Sequence, residues 1–127
     1  MNRWNIQTNS LALTRAELLI ILLLFFVNFF FNIYANAAFK ISSAGLGWRH
    51  FITWQVVGNL CGFLTVLTLT ALLRYLPLHV VFPITSGLAV LGVQVFAARF
   101  YFHETISLAQ WAGSLCIIGG IFLIGAR

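Results

Sequence analysis

Four uncharged, apolar runs of about 20 residues each constrain the fold of this chain more than any other feature. They cover residues 18–39, 51–73, 80–98 and 106–126, with charged residues or histidines close to their ends. A helix rises 1.5 Å per residue, so about 20 residues cross the roughly 30 Å hydrocarbon core of a bilayer. Backbone groups in lipid must find partners within the segment, so each run is predicted to be a transmembrane α-helix. The predicted fold class is an all-α membrane protein, a four-helix transmembrane bundle.

Composition and length indicate how such a bundle is organised. Hydrophobic residues make up 61% of the chain and charged residues 7%, too apolar for a soluble domain. Residues 1–16 are interpreted as a polar amino-terminal segment that is retained, and residues 17–127 as the four-helix domain. The helices use most of the 127 residues, so any pathway lies among them or between copies of the chain. We therefore expect a homodimer, or a heterodimer with a similar four-helix chain.

The distribution of basic residues only weakly indicates the orientation of the chain in the membrane. One side of the predicted topology carries four of them and the other carries three; these are Arg3, Arg15, Arg74 and Arg127 against Lys40, Arg49 and Arg99. Two arrangements remain open: a fixed orientation with both termini inside, or copies that insert both ways and pair antiparallel. The net charge of +5 favours contact with anionic membrane lipids and gives no reason to expect a nucleic acid.

Three asparagines and a lysine recur every four residues in the first apolar run. Asn28, Asn32, Asn36 and Lys40 fall on one helix face, because a step of four advances only about 40° beyond a full turn. One interpretation is that the carboxamides bind neighbouring helices and hold the bundle together. The other is that they line a hydrated path and bind a polar substrate, with Lys40 attracting a phosphate at one mouth. The two interpretations are compatible.

Other residues suggest how the bundle packs and moves. Small residues let helices approach closely, so Gly58, Gly62 and the glycines of the fourth run are interpreted as packing surfaces, with the fourth helix a candidate dimer contact. Pro83 lies near the start of the third run, where a missing N–H costs little. Gly87 is predicted to let that helix bend, so Pro83 and Gly87 form a candidate hinge.

Residues that could carry chemistry are few. Glu17 and Glu104 are the only acidic residues, and they are predicted on opposite sides of the membrane. We therefore expect no catalytic group, no metal site, no cofactor and no enzymatic activity. Cys61 and Cys116 are interpreted as small core residues. Glu104 is expected to form an ion pair with Lys40 or Arg99, or alternatively to act as a gate or a headgroup contact.

The second half of the chain resembles that of a known transporter group. Residues 76–125 contain Leu-Pro-Leu followed by "FPITSG", a single acid before the last helix, and "QWAG" followed by "IIGG". The first helix ends in "NIYANAAFKIS", with an amide four residues before a lysine. Together these features resemble four-helix members of the drug/metabolite transporter superfamily, which includes the small multidrug resistance proteins.

One departure within this resemblance bears on the transport chemistry. Small multidrug resistance exporters have an essential glutamate eight residues before that lysine, and this chain has Asn32 there. Asparagine cannot exchange a proton. The chain is more similar to the four-helix subunits of the aminoarabinose-lipid flippase, which also lack the acid.

The resemblance therefore implies a small transporter or flippase-like protein that moves an amphipathic, lipid-linked polar substrate across a bacterial inner membrane. Two alternatives remain open. One is a proton-coupled cation exporter of the small multidrug resistance type. The other is a non-transporting accessory subunit of a larger membrane complex.

Overall fold

The computed structural model describes residues 13–126, and these residues form a bundle of four long helices. Helix α1 covers Arg15–Ala44, α2 covers Trp48–Leu72, α3 covers Leu78–Gly92, and α4 covers Leu108–Gly125. Helix α3 continues without a break into a π-helical segment, Val93–Tyr101, called the π segment below. With α3 and the π segment counted as one span, Leu78–Tyr101, all four spans are long and apolar enough to cross a membrane, and the described residues contain no strand. The predicted all-α fold is confirmed, as is the membrane class of the chain.

Two helices begin at capping boxes that hydropathy alone did not indicate. Thr14 Oγ1 accepts a hydrogen bond from the Glu17 backbone N–H at 3.3 Å, and Glu17 Oε2 accepts one from the Thr14 N–H at 3.0 Å. Ser107 and Gln110 form the same reciprocal pair at the start of α4. Such pairs satisfy backbone donors that a helix start leaves free. Helix α1 therefore begins at Arg15, inside the predicted polar segment, of which residues 1–12 lie outside the described range.

Helix α1 is the central element of the bundle. It packs against α2 along much of its length and against α3 and the π segment, whereas α4 packs on α3 and is hydrogen-bonded to Gln94 of the π segment. Ile21, Leu72 and Val81 form a small buried core where α2 turns into α3. Most large apolar side chains of α4 remain uncovered, Leu108 and Leu123 among them. A surface of this kind fits hydrocarbon surroundings.

The predicted packing role of the glycines is confirmed at Gly58, whereas the other predicted glycines meet no neighbouring helix within residues 13–126. A Cβ on Gly58 would lie 2.5 Å from the Phe39 ring, and one on Gly92 would lie 2.5 Å from Phe29. Both glycines therefore bring α1 close to its neighbours. By contrast, a Cβ on Gly62 or on Gly113, Gly119, Gly120 or Gly125 would meet nothing within 4 Å. Among residues 13–126 these glycines have open space on the side of a Cβ, so their predicted packing on another molecule stays a prediction.

The candidate hinge lies in a regular part of the helix. Pro83 and Gly87 are both inside α3, and Gly87 is buried against Ile117 and Ile121 of α4. The hydrogen-bond pattern changes only after Gly92, where the π segment begins.

The interpretation of Cys116 as a core residue is wrong, because its side chain is exposed, whereas Cys61 is half-buried. Cys116 lies on α4, which only α3 covers.

Candidate functional site

Asn28 connects two helices. Its side chain is 3% exposed, and its Nδ2 donates to the Thr65 carbonyl oxygen at 2.8 Å and to Thr68 Oγ1 at 2.9 Å. Both partners belong to α2. Thr65 and Thr68 also bond back to carbonyls of their own helix, as is typical of threonines in membrane helices. Asn28 therefore stabilises the bundle, which is the first of the two roles considered for the asparagines.

Asn32 and Asn36 make their hydrogen bonds along α1 itself. Asn32 Nδ2 donates to the Asn28 carbonyl oxygen at 3.3 Å and to Asn28 Oδ1 at 3.1 Å. Asn36 Nδ2 donates to the Asn32 carbonyl oxygen at 2.8 Å. Neither Oδ1 has a hydrogen-bond partner within residues 13–126. Asn32 is partly exposed and Asn36 is exposed. These two oxygens are available to accept hydrogen bonds.

Two polar clefts lie beside this row of asparagines. The inner cleft has a volume of about 340 Å³ and is lined by Asn28 and Asn32 of α1 with Thr65, Thr85 and Ser86. The outer cleft has a volume of about 410 Å³, and its polar lining consists of Asn36, Gln94, Glu104, Thr105 and Gln110. Ala89 of α3 borders both clefts. The clefts therefore follow one another along α1 from the middle of the bundle towards Lys40.

An ion pair stands at the Lys40 end of this path. Lys40 Nζ lies 2.8 Å from Glu104 Oε1, and the two side chains are 53% and 45% exposed. The pair joins the last part of α1 to the turn after the π segment. Lys40 and Glu104 were predicted to lie on the same side of the membrane. Their contact places the loops 45–47 and 102–107 on one side of the bundle. Of the two predicted partners of Glu104, the structure places Lys40 in contact.

Several residues of the clefts were not singled out by the sequence analysis. Ser114, buried at 4% exposure, donates from Oγ to Gln94 Oε1 at 2.7 Å, which ties α4 to the π segment. Gln94 Nε2 in turn donates to the Gln110 carbonyl oxygen at 3.5 Å. A glutamine inside an apolar run is the signal that points to Gln94, since amides in hydrocarbon need a partner. Glu17, in contrast, caps α1 and lines neither cleft.

No known protein family, curated protein or solved structure matches this chain.

Proposed function

We propose that this protein is a small membrane transporter or flippase, of the drug/metabolite transporter type, that moves an amphipathic, lipid-linked polar substrate. The observation that carries the proposal is the pair of polar clefts along α1, which offer hydrogen-bonding groups beside an apolar helix. Uncommitted polar groups at membrane depth are costly unless they serve a bound ligand or water. A bacterial inner membrane is the proposed location.

The asparagines divide into two roles under this proposal. Asn28 is a positioning residue, because its amide is committed to α2. Asn32 and Asn36 contact the substrate, because these residues line successive clefts and their Oδ1 atoms have no partner among residues 13–126. Oxygen acceptors bind the hydroxyl or amino groups of a sugar head. The head would pass from one acceptor to the next, while its hydrocarbon tail remains in lipid.

Lys40 contributes in a second step. A phosphate on the substrate attracts an ammonium group more strongly than it attracts neutral amides. Lys40 is already paired with Glu104, so contact with a phosphate requires exchange of one anion for another. Both ends of the pair are about half exposed, and exposed ion pairs contribute only about 0–1 kcal/mol. A phosphate can therefore displace Glu104 at a small cost in free energy. The ion pair would then act as a gate in addition to joining α1 to the turn after the π segment.

The test compares two substitutions that remove the same chemical group. Asn32→Leu removes an acceptor of the inner cleft, and Asn59→Leu removes an exposed asparagine that bonds to its own helix at Gln55. Proteoliposomes carry a fluorescent polyprenyl-phosphate-linked sugar, and a membrane-impermeant quencher reports its movement between leaflets. We expect Asn32→Leu to lower the rate about tenfold or more, equivalent to about 1.4 kcal/mol. Insertion and assembly should be unchanged.

The control decides how that result is interpreted. Asn59 lines neither cleft, so Asn59→Leu should leave the rate at its wild-type value. Equal rates in wild type and Asn32→Leu would contradict the path. If the wild-type protein moves no lipid but moves a cationic dye in a proton gradient, a cation exporter replaces the flippase, with Glu104 as the candidate proton acceptor.

A second candidate function is supported by the exposed surface of α4. Within residues 13–126 this helix packs on α3 and is hydrogen-bonded to Gln94 of the π segment, and a Cβ on any of its four glycines would meet no neighbouring helix within 4 Å. Glycine faces let another membrane helix approach closely. The candidate is an accessory subunit that packs α4 on a larger membrane protein, and a stoichiometric large partner in native purification, without transport in proteoliposomes, would favour it.

A further inference from the structure

A third cleft, here called the apolar groove, lies on the other side of α1 from the asparagines. Its volume is about 380 Å³. Helix α1 contributes seven residues. At 100° per residue, Phe30, Tyr34, Ala37 and Ile41 lie roughly 140–180° around the helix from Asn32, and Phe29, Ile33 and Ala38 lie roughly 60–120° from it. The other walls are residues of α2 and of the π segment, among them Trp54, Cys61 and Tyr101. The transport proposal makes no use of this groove.

The length of the groove matches one leaflet of a bilayer. Its lining on α1 extends from Phe29 to Ile41, which is about 18 Å at 1.5 Å per residue. Half of a roughly 30 Å hydrocarbon core is about 15 Å. One end lies beside Trp54 and Tyr101, close to the loops 45–47 and 102–107, and the other lies near the middle of the membrane. A chain that enters from this surface would fill the groove along its length.

The other possible occupants fit the groove poorly. Water needs two to four polar partners, and the lining is almost wholly aliphatic and aromatic. A helix from a second copy of the chain is about 10–12 Å wide with its side chains, whereas a groove of 380 Å³ that is about 18 Å long averages only about 5 Å across. A single hydrocarbon chain is thin enough for such a groove and makes dispersion contacts with the ring faces.

Two basic residues at this membrane surface indicate the head of the lipid. Arg49 lies five residues before Trp54, and Arg99 lies two residues before Tyr101; both are exposed, and neither lines the groove. Neither guanidinium has a hydrogen bond or ion pair to residues 13–126, and the nearby Glu104 is paired with Lys40. We propose that the apolar groove binds one acyl chain of an anionic phospholipid from the leaflet on the Lys40 side, whose phosphate lies at the same membrane surface as Arg49 and Arg99.

Two substitutions fill the groove from opposite walls. Ala37→Phe enlarges a side chain of α1, and Cys61→Phe enlarges one of α2. Ala112→Phe adds the same bulk as the first substitution to the exposed surface of α4 and is the matched control. The probe is phosphatidylglycerol added to delipidated protein in detergent, and native mass spectrometry counts the lipids retained on each chain.

We expect wild type and Ala112→Phe to retain about one phosphatidylglycerol per chain. Each groove-filling variant should retain at least about tenfold less, equivalent to about 1.4 kcal/mol. Phosphatidylcholine with the same acyl chains should be retained less than phosphatidylglycerol. Equal retention in all four proteins, or loss in Ala112→Phe as well, would overturn the site. Equal retention of the two lipids would overturn the assignment of an anionic head.

A second measurement does not require a groove-filling variant to fold. Trp4, Trp48 and Trp111 are replaced by Phe, which leaves Trp54 in the groove as the fluorophore. Phosphatidylglycerol brominated along its acyl chain should quench Trp54 at one lipid per protein, and unlabelled phosphatidylglycerol should reverse the quenching. No quenching at this ratio would overturn the proposal.

Discussion

The coupling between Asn28 and Thr68 is the most specific energetic prediction of the structure. Asn28 Nδ2 donates to Thr68 Oγ1 at 2.9 Å and to the Thr65 carbonyl oxygen at 2.8 Å, in a side chain that is 3% exposed. Polar contacts between membrane helices contribute about 0.6 kcal/mol on average and at most about 1.7 kcal/mol. Asn28→Leu removes both of these bonds and also the Oδ1 that accepts from Asn32 Nδ2. Loss of the two bonds to α2 should lower the free energy of unfolding by about 1.2 kcal/mol.

A double-mutant cycle isolates the side-chain part of this contact. Thr68→Val is nearly isosteric and removes the hydroxyl acceptor, while the bond from Asn28 to the Thr65 carbonyl remains. The cycle with Asn28→Leu should give a coupling of about 0.6 kcal/mol, measured by reversible unfolding in mixed micelles. Asn36→Leu combined with Thr68→Val should show no coupling beyond error, because Asn36 bonds only to the Asn32 carbonyl oxygen and not to the Asn28 side chain. A coupling of zero for Asn28, or equal couplings for both asparagines, would refute the assignment of Asn28 to the helix interface.

The remaining predictions concern packing and the ion pair. Gly92→Ala should destabilise the protein by about 1–3 kcal/mol relative to Gly62→Ala, because only the methyl group at position 92 meets a neighbouring ring. Equal free energies of unfolding for the two variants would contradict the close packing of α1 and α3. Lys40→Met should cost no more than about 1 kcal/mol, since the pair with Glu104 is half exposed, and the exchange Lys40→Glu with Glu104→Lys should restore most of that loss. A larger, unrestored loss would mean that Lys40 has another buried role.

Much of the fold could be predicted from the sequence because membrane helices need long apolar runs. All four runs became helices in the predicted order. The helix ends were less predictable from hydropathy, since α1 begins at a polar capping box and extends to Ala44, beyond Lys40. The sequence patterns Thr-x-x-Glu and Ser-x-x-Gln carry that information, and hydrogen bonding rather than hydropathy sets these ends. The π segment was not predictable, because apolar content is the same in α and π geometry.

The candidate site was predictable only in part. Spacing showed that the asparagines share a face of α1, and the clefts beside them are consistent with a lining role. Spacing could not show that the Asn28 side chain is buried against α2 while the Asn36 side chain is exposed. The burial of each side chain depends on where the neighbouring helix passes. Likewise, Gln94 and Ser114 are separated by 20 residues, so their hydrogen bond depends on how the π segment meets α4.

The account depends on water or substrate reaching Asn32 and Asn36 from the clefts. Single cysteines at positions 28, 32 and 36, in a chain whose Cys61 and Cys116 are replaced by alanine, measure this directly with a membrane-impermeant thiol reagent. Phe30→Cys on the apolar side of α1 is the control. We predict rapid labelling at position 36, slower labelling at 32, and almost none at 28 or 30. Labelling at positions 32 and 36 as slow as at position 30 would contradict the central claim.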